Sequence, residues 1–323
     1  MTHHLKPPLV TIKPVAKQHS ALGLGCWVFG GAQWGGQEDA DSFSAMQAAL
    51  DLGITHFDTA VGYGGGRSET LLGEFLKGRR EEVFLATKFF PAEQTAEYVF
   101  GQLDASLDRL QTDYVDLYYI HWPITGKDLR PVMEALEQAR AQGKIGAIGV
   151  SNFSVEQMEH VSEVGHIDAH QLCYNLFWRF PERDIIPWCA QNGTAVVTYS
   201  SIAQGILTGK FPREPKFKEG DDRGGNVLFK PENWPFVYEG VEKLKALSAE
   251  CGRSLTHLAI RWVIEQAGIT SELVGARDAG QMTDNAAALD GEIAADVFAK
   301  MTAISDEVMS HIPDVGNMFG FYP

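Results

Sequence analysis

Three apolar runs of this chain each end on a polar residue able to take part in proton transfer. ITHFD ends on Asp58, VFLATK on Lys88 and VDLYYIH on His121, and Tyr63 follows Asp58 in a glycine-rich turn. A carboxylate, an ammonium, an imidazole and a phenol are the parts of a tuned proton donor. A phenol in water titrates near pH 10, too high for easy proton exchange at neutral pH. A lysine ammonium beside it favours the phenolate and is expected to lower that value. Lys88, set between VFLAT and FF, would tend to lose its own charge on burial, and a carboxylate neighbour keeps it ionised. A histidine within reach then orients the oxygen that takes the proton. Such a set protonates a carbonyl oxygen while another agent delivers a hydride to the carbon.

Singly, most of these residues have plainer explanations. Asp58 could cap a helix, Tyr63 could be a packing residue and His121 a satisfied core histidine. Lys88 is harder to dismiss, because an ammonium in so apolar a run needs a reason. The joint placement is what counts. All three strand-end residues follow consecutive strand-like runs, so a fold that gathers strand ends on one face would bring them together.

The elements that must do this alternate along the chain. Strand-like runs occur at 21–26, 54–58, 83–88, 115–121, 145–150, 169–174, 195–200 and 269–275, with stretches of helical period between them. Several helical stretches close on glycine, at Gly53, Gly143, Gly165 and Gly193. The strand runs are apolar on both faces, as in a parallel sheet covered by helices. Eight β-then-α units predict one α/β domain over residues 1–323, a single-domain (β/α)8 TIM barrel; an open doubly wound sheet is the alternative. Residues 1–20 are expected to form a small hairpin across the barrel floor. The stretch 211–235, rich in Pro, Gly and charge, reads as a long loop over a ligand, with two extra helices near 237–251 and 254–267.

The chain has 323 residues, is 45% hydrophobic and carries a net charge of -15, which argues against a general nucleic-acid or anionic-membrane binder. Its four cysteines (Cys26, Cys173, Cys189, Cys251) form no CxxC. No signal peptide or membrane-length apolar run is apparent, so the cytoplasm is the expected location.

FDTAVGYGGGRSE, ATK, DLYYIHWP, GVSNFS and YSSIAQGILTGK, in this order, closely resemble the aldo-keto reductases, and the resemblance runs from GLGCWVFGG to NAAAL. It implies a (β/α)8 barrel without a Rossmann domain, and a catalytic set with Tyr63 as general acid/base, Lys88 and Asp58 tuning it and His121 orienting the carbonyl. GCWVFGGAQWGG and SHIPDVGNMF look most like a bacterial subgroup of NADPH-dependent members.

Neither a Rossmann fingerprint nor a P-loop is present: Val28 stands where a third glycine belongs, and Phe211 follows GK. Ser151, Asn152 and Gln171, at the ends of strands five and six, could clamp a carboxamide such as that of nicotinamide, or serve as caps and turns. Tyr199 could stack on the nicotinamide ring or lie in the core. The stretch SSIAQGILTGK offers Ser200, Ile202, Gln204, Gly205, Leu207, Gly209 and Lys210 to a pyrophosphate. By the resemblance, Gly275, Arg277, Gln281 and Asn285 take the adenosine end, with Arg277 supplying charge for NADP. Many family members have a basic residue at Gln281 and others a Lys at Gly275. Trp27, Phe29, Trp34, Phe89 and Trp122 flank the site as an apolar pocket for aldehydes or ketones, sugar-derived ones included, and Trp27 also borders the cofactor.

Two rival classes stand beside an NADPH-dependent reductase. A nucleotide-sensing module is one, since potassium-channel β-subunits resemble the family and can keep the tetrad. A metal-dependent hydrolase is the other, but His166 and His170 lack carboxylates at ligand spacing. Oligomeric state is not legible.

Overall fold

The computed structural model describes residues 6–31, 36–217 and 221–321. Eight strands close a parallel barrel: β3 (Leu22–Gly25), β4 (His56–Asp58), β5 (Phe84–Phe89), β6 (Val115–Ile120), β7 (Ile145–Ser151), β8 (Ala169–Cys173), β9 (Ala195–Tyr199) and β10 (Ser271–Gly275), with β10 pairing back on β3. These match the eight expected runs, and the open-sheet alternative is excluded by the closure. The preceding strands β1 (Leu9–Val10) and β2 (His19–Ser20) form the expected hairpin. Ile12, between them, packs into the barrel interior and stops its floor.

Each barrel strand is followed by a helix: α1 (Asp39–Asp51), α2 (Arg67–Leu76), α3 (Ala96–Leu110), α4 (Arg130–Ala141), α5 (Val155–Ser162) and α6 (Ile185–Asn192), then α7 (Trp234–Cys251) and α8 (Leu255–Ile264) after β9, and α9 (Ala279–Ala286) and α10 (Ala295–Met309) after β10. The two additions to the barrel plan are α7 and α10, which pack on each other; α8 is a barrel helix. Only α7 of the two extra helices expected between β9 and β10 is an addition; the other addition, α10, follows β10. Helix α3 shows why these segments are helical. Thr95 caps its first turn by accepting from the Tyr98 amide, and Val99, Leu103, Leu107 and Leu110 form one buried stripe against the sheet. Gly53, Gly143 and Gly193 follow their helices at positive φ as expected. Gly165 does not: α5 ends earlier, and Gly165 instead leaves room for the Met133 side chain.

Every residue of β5 and β6 is buried, because helices cover one face and the barrel interior the other. The interior is filled by Phe84 and Ala86 of β5, Leu117 and Tyr119 of β6, Ala147, Ala169, Val197 and Leu273. The period-two alternation then fixes what comes next on the inward face. Two residues beyond Ala86 is Lys88, beyond Tyr119 is His121, beyond Ala169 is Gln171 and beyond Val197 is Tyr199. The same count from His56 reaches Asp58. Packing of the interior layers therefore aims the polar strand ends into one mouth.

Candidate active site

Tyr63 is the one member of the proton-transfer set not on a strand, so its loop must be held. The segment after β4 stays pinned to β5, with Thr59 N–H donating to Ala86 O at 2.9 Å and Val61 N–H to Lys88 O at 3.0 Å. Gly64 has φ +65, and a Cβ there would lie 2.4 Å from Gly30 O. Only glycine allows the Tyr63 turn to press this closely on the short turn Trp27–Gly30. The Trp27 and Tyr63 rings stack as a result, with centroids 6.0 Å apart.

Lys88 is wholly buried. Its Nζ donates to Asp58 Oδ1, to Thr59 O at 2.8 Å and to Tyr63 OH at 3.4 Å. The other carboxylate oxygen, Asp58 Oδ2, accepts from Gln171 Nε2 at 2.9 Å. The His121 ring meets Tyr63 edge-on, 5.8 Å between centroids. Burial works against the Lys88 charge, but Asp58 and Tyr63 together outweigh it and hold the ammonium above its ordinary value. Burial raises the Asp58 carboxyl, opposed by Lys88 and Gln171. Burial likewise pushes the Tyr63 phenol up, and Lys88 offsets only part of that. The expected lowering of the phenol is thus corrected: in this protein alone, desolvation wins over the ammonium. His121 is driven down to about 3 by burial and by Lys88, so its imidazole is neutral at physiological pH. The set presents a protonated phenol and a neutral imidazole to one point, with a fixed positive charge behind.

That point lies in a cavity of about 740 Å³ at the C-terminal mouth of the barrel. Of the residues marked in the sequence, Trp27, Asp58, Tyr63, His121, Trp122, Ser151, Asn152, Gln171, Tyr199, Ser200, Ile202, Gln204, Gly205, Gly275, Arg277 and Gln281 line it. Asn152 is more committed than a ligand clamp requires. Its Oδ1 accepts from Tyr199 OH at 2.6 Å, and its Nδ2 donates to His121 O and Ser151 Oγ. It ties the ends of β6, β7 and β9 together.

Other marked residues do not line the cavity. Phe89 follows the inward-facing Lys88, so alternation turns it outward, where it stacks on Tyr118. Phe29 is fully buried in the outer core. Leu207 is core, Gly209 packs against Lys245, and Lys210 is exposed. Asn285 donates to Gly275 O at 3.0 Å and braces that strand end. Trp34 lies outside the described residues.

The structure also adds residues that the sequence reading missed. Phe319 and Phe321 reach the cavity from beyond α10, and Arg223 reaches it from the long loop after β9. NMFGFYP did carry a signal, two aromatics around a glycine after the last helix. Nothing in the sequence singled out Arg223.

The residues fit a dinucleotide. Past β9 the backbone turns through positive φ at Ser200, Ala203, Gln204 and Gly205. Three of these are not glycine, and each costs about 1–2 kcal/mol. Such strain gathers at ligand clamps, and a turn of this kind makes a concavity of amides suited to phosphate. Asn226 braces it by donating to Gln204 Oε1 at 2.9 Å. Arg277 brings positive charge to the same cleft, and Arg223 lines it while paired with Asp221. Arg277 Nε donates to Gln37 Oε1 at 3.3 Å and its Nη2 to Gly36 O. The hydrolase alternative finds no such support: His170 Nε2 is engaged with the Phe153 backbone, and His166 sits beside Asp168 instead.

Comparison with known proteins agrees with this fold. A family model described as the Aldo/keto reductase family matches residues 21–306. Aldo-keto reductase YhdN of Bacillus subtilis is 39% identical over 275 residues, covering 81% of this chain and 83% of that protein. The NADH-specific methylglyoxal reductase of Escherichia coli is 32% identical over 294 residues, covering 84% and 90%. A solved aldo/keto reductase from Klebsiella pneumoniae, in complex with NADP and acetate, matches with a TM-score of 0.73 at 27% identity, covering 93% of this chain and 95% of that one.

Proposed function

The chain belongs to the aldo/keto reductase family of NADP(H)-using carbonyl oxidoreductases, and we propose that residues 1–323 act as one barrel unit in which Tyr63 is the proton donor to the substrate oxygen. The reduced nicotinamide, when bound, supplies the hydride. Tyr63 gives up its proton as charge develops on the carbonyl oxygen, and Lys88, 3.4 Å from the phenol oxygen, stabilises the phenolate left behind. Asp58 keeps Lys88 charged and in place. His121, neutral, hydrogen-bonds the carbonyl oxygen and orients it. The observation that carries this reading is the buried chain of contacts from Gln171 through Asp58 and Lys88 to Tyr63.

Ser151, Asn152 and Gln171 would hold the carboxamide end of the cofactor, Tyr199 its nicotinamide ring, and the 200–205 turn with Arg223 the pyrophosphate. Arg277 and Gln281 receive the adenosine end. A 2′-phosphate needs a cation, and Arg277 supplies one, so NADPH is the favoured form here although one relative is NADH-specific. Trp27, Trp122 and Phe321 wall the carbonyl side without a charged anchor. This suits small aldehydes and ketones, with 2-oxoaldehydes in view of the methylglyoxal reductase among the relatives. No helix among the described residues is long and apolar enough to cross a membrane. The four cysteines are unpaired, which supports a reducing compartment, and we place the enzyme in the cytoplasm.

The test is a panel of short aldehydes and ketones with NADPH and NADH, read as carbonyl-dependent loss of reduced-nicotinamide absorbance. Turnover with NADPH above NADH supports the reading. NADPH binding without turnover on any carbonyl would overturn it in favour of a sensing role.

A further inference from the structure

Phe319 lies parallel to Tyr199, 13° between the planes and 6.0 Å between centroids, and makes a T-shaped pair with Trp27. A third flat ring needs about 3.5 Å on either side, about 7 Å in all. It cannot enter between the two. Tyr199 also packs against the barrel interior, and its hydroxyl donates to Asn152 Oδ1 at 2.6 Å, so this ring is not the one to yield.

We propose that residues 317–321 are an aromatic plug seated in the cofactor's ring site, and that Phe319 sets cofactor affinity by competing for the face of Tyr199. The inference rests on the cofactor placement given above. The plug is built to move as one piece. Asn317 Oδ1 accepts from the amides of Phe319 and Phe321, at 3.0 and 3.1 Å, and its Nδ2 donates to Phe321 O at 2.7 Å. This clamp is internal to the segment. The anchor is Met318, fully buried, whose carbonyl accepts from Val227 N–H at 2.9 Å. Phe321, exposed, rests edge-on against Trp122, 5.0 Å between centroids. Moving residues 317–321 as one unit would take Phe319 off Tyr199 and Phe321 off Trp122 with the clamp kept. The same movement therefore uncovers the ring site and the carbonyl wall.

The test is the Kd for NADPH, measured by calorimetry and by quenching of protein fluorescence, for wild type, Phe319→Ala and Asn317→Ala. Loss of one aromatic pair corresponds to about 0.5–1.5 kcal/mol, so Phe319→Ala should bind NADPH about 2- to 13-fold more tightly. Asn317→Ala, which keeps both rings but loosens the clamp, should move in the same direction, with a faster association rate. An unchanged or weaker Kd in Phe319→Ala, with its thermal unfolding intact, would overturn the plug while leaving the cofactor assignment standing. Absence of NADPH and NADH binding in wild type and variants alike would overturn the cofactor assignment and the plug with it.

Discussion

Replacing Lys88 with methionine separates two things this ammonium does. Its Nζ lies 3.4 Å from the Tyr63 oxygen. At an effective dielectric near 20, a unit charge at that distance favours the phenolate by about 5 kcal/mol. Burial already holds the phenol above its ordinary value, so without Lys88 the phenolate becomes inaccessible. Alcohol oxidation, which needs the phenolate as base, should lose its rise toward alkaline pH and fall at least about 100-fold at its optimum. Lys88 is also half of a buried ion pair with Asp58. Breaking such a pair from one side costs about 3–5 kcal/mol, whereas removing both charges costs less. Lys88→Met should therefore be less stable than Asp58→Asn/Lys88→Met, although both are inactive. Denaturant unfolding and pH profiles of oxidation with NADP+ read the two effects. A Lys88→Met enzyme with the wild-type alkaline limb would refute the role given to the ammonium. A double variant no more stable than the single would refute the ion-pair account.

Other outcomes follow from the cleft and the core. Arg277→Ala should weaken NADPH binding by about 10- to 150-fold, the worth of a charged hydrogen bond, and NADH binding by less than about threefold; equal losses for both would remove Arg277 from the 2′-phosphate. Lys210→Ala, at an exposed position off the cavity, should leave both affinities within about twofold, while Arg223→Ala weakens both about equally. His19 and His170 are fully buried and held down to about 4 by desolvation. Their stabilising contribution is complete above the ordinary pKa of 6.5 and is lost as pH falls from there toward 4, by up to about 3 kcal/mol each. Urea unfolding between pH 7 and 4 checks this, and a flat stability over that range would contradict it.

Much of this was legible in residues whose physics is local. The barrel followed from eight apolar runs with helical stretches between them, because burial on both strand faces leaves a plain mark in sequence. The gathering of Asp58, Lys88 and His121 followed from their places at the ends of consecutive strand-like runs. Phe89 was misplaced because strand-end position alone does not distinguish the two faces of β5, and alternation from the inward Lys88 turns it outward. Other features depended on distant partners. Arg223 reaches the cleft by the path of a loop, and Phe319 by the return of the tail from α10, and neither path has a periodicity to read. The Tyr63 pKa failed for a different reason. Its neighbours were identifiable, but the depth of burial that outweighs Lys88 exists only after folding.

The central claim is that Tyr63 donates the proton. Its most direct test is carbonyl-dependent NADPH consumption by wild type and Tyr63→Phe, across neutral to mildly alkaline pH, with NADPH affinity measured on both. Because burial holds the phenol above its ordinary value near 10, wild-type reduction should stay flat over that range. Tyr63→Phe should bind NADPH as wild type does and lose reduction by at least about 100-fold. Wild-type turnover in Tyr63→Phe would contradict the account.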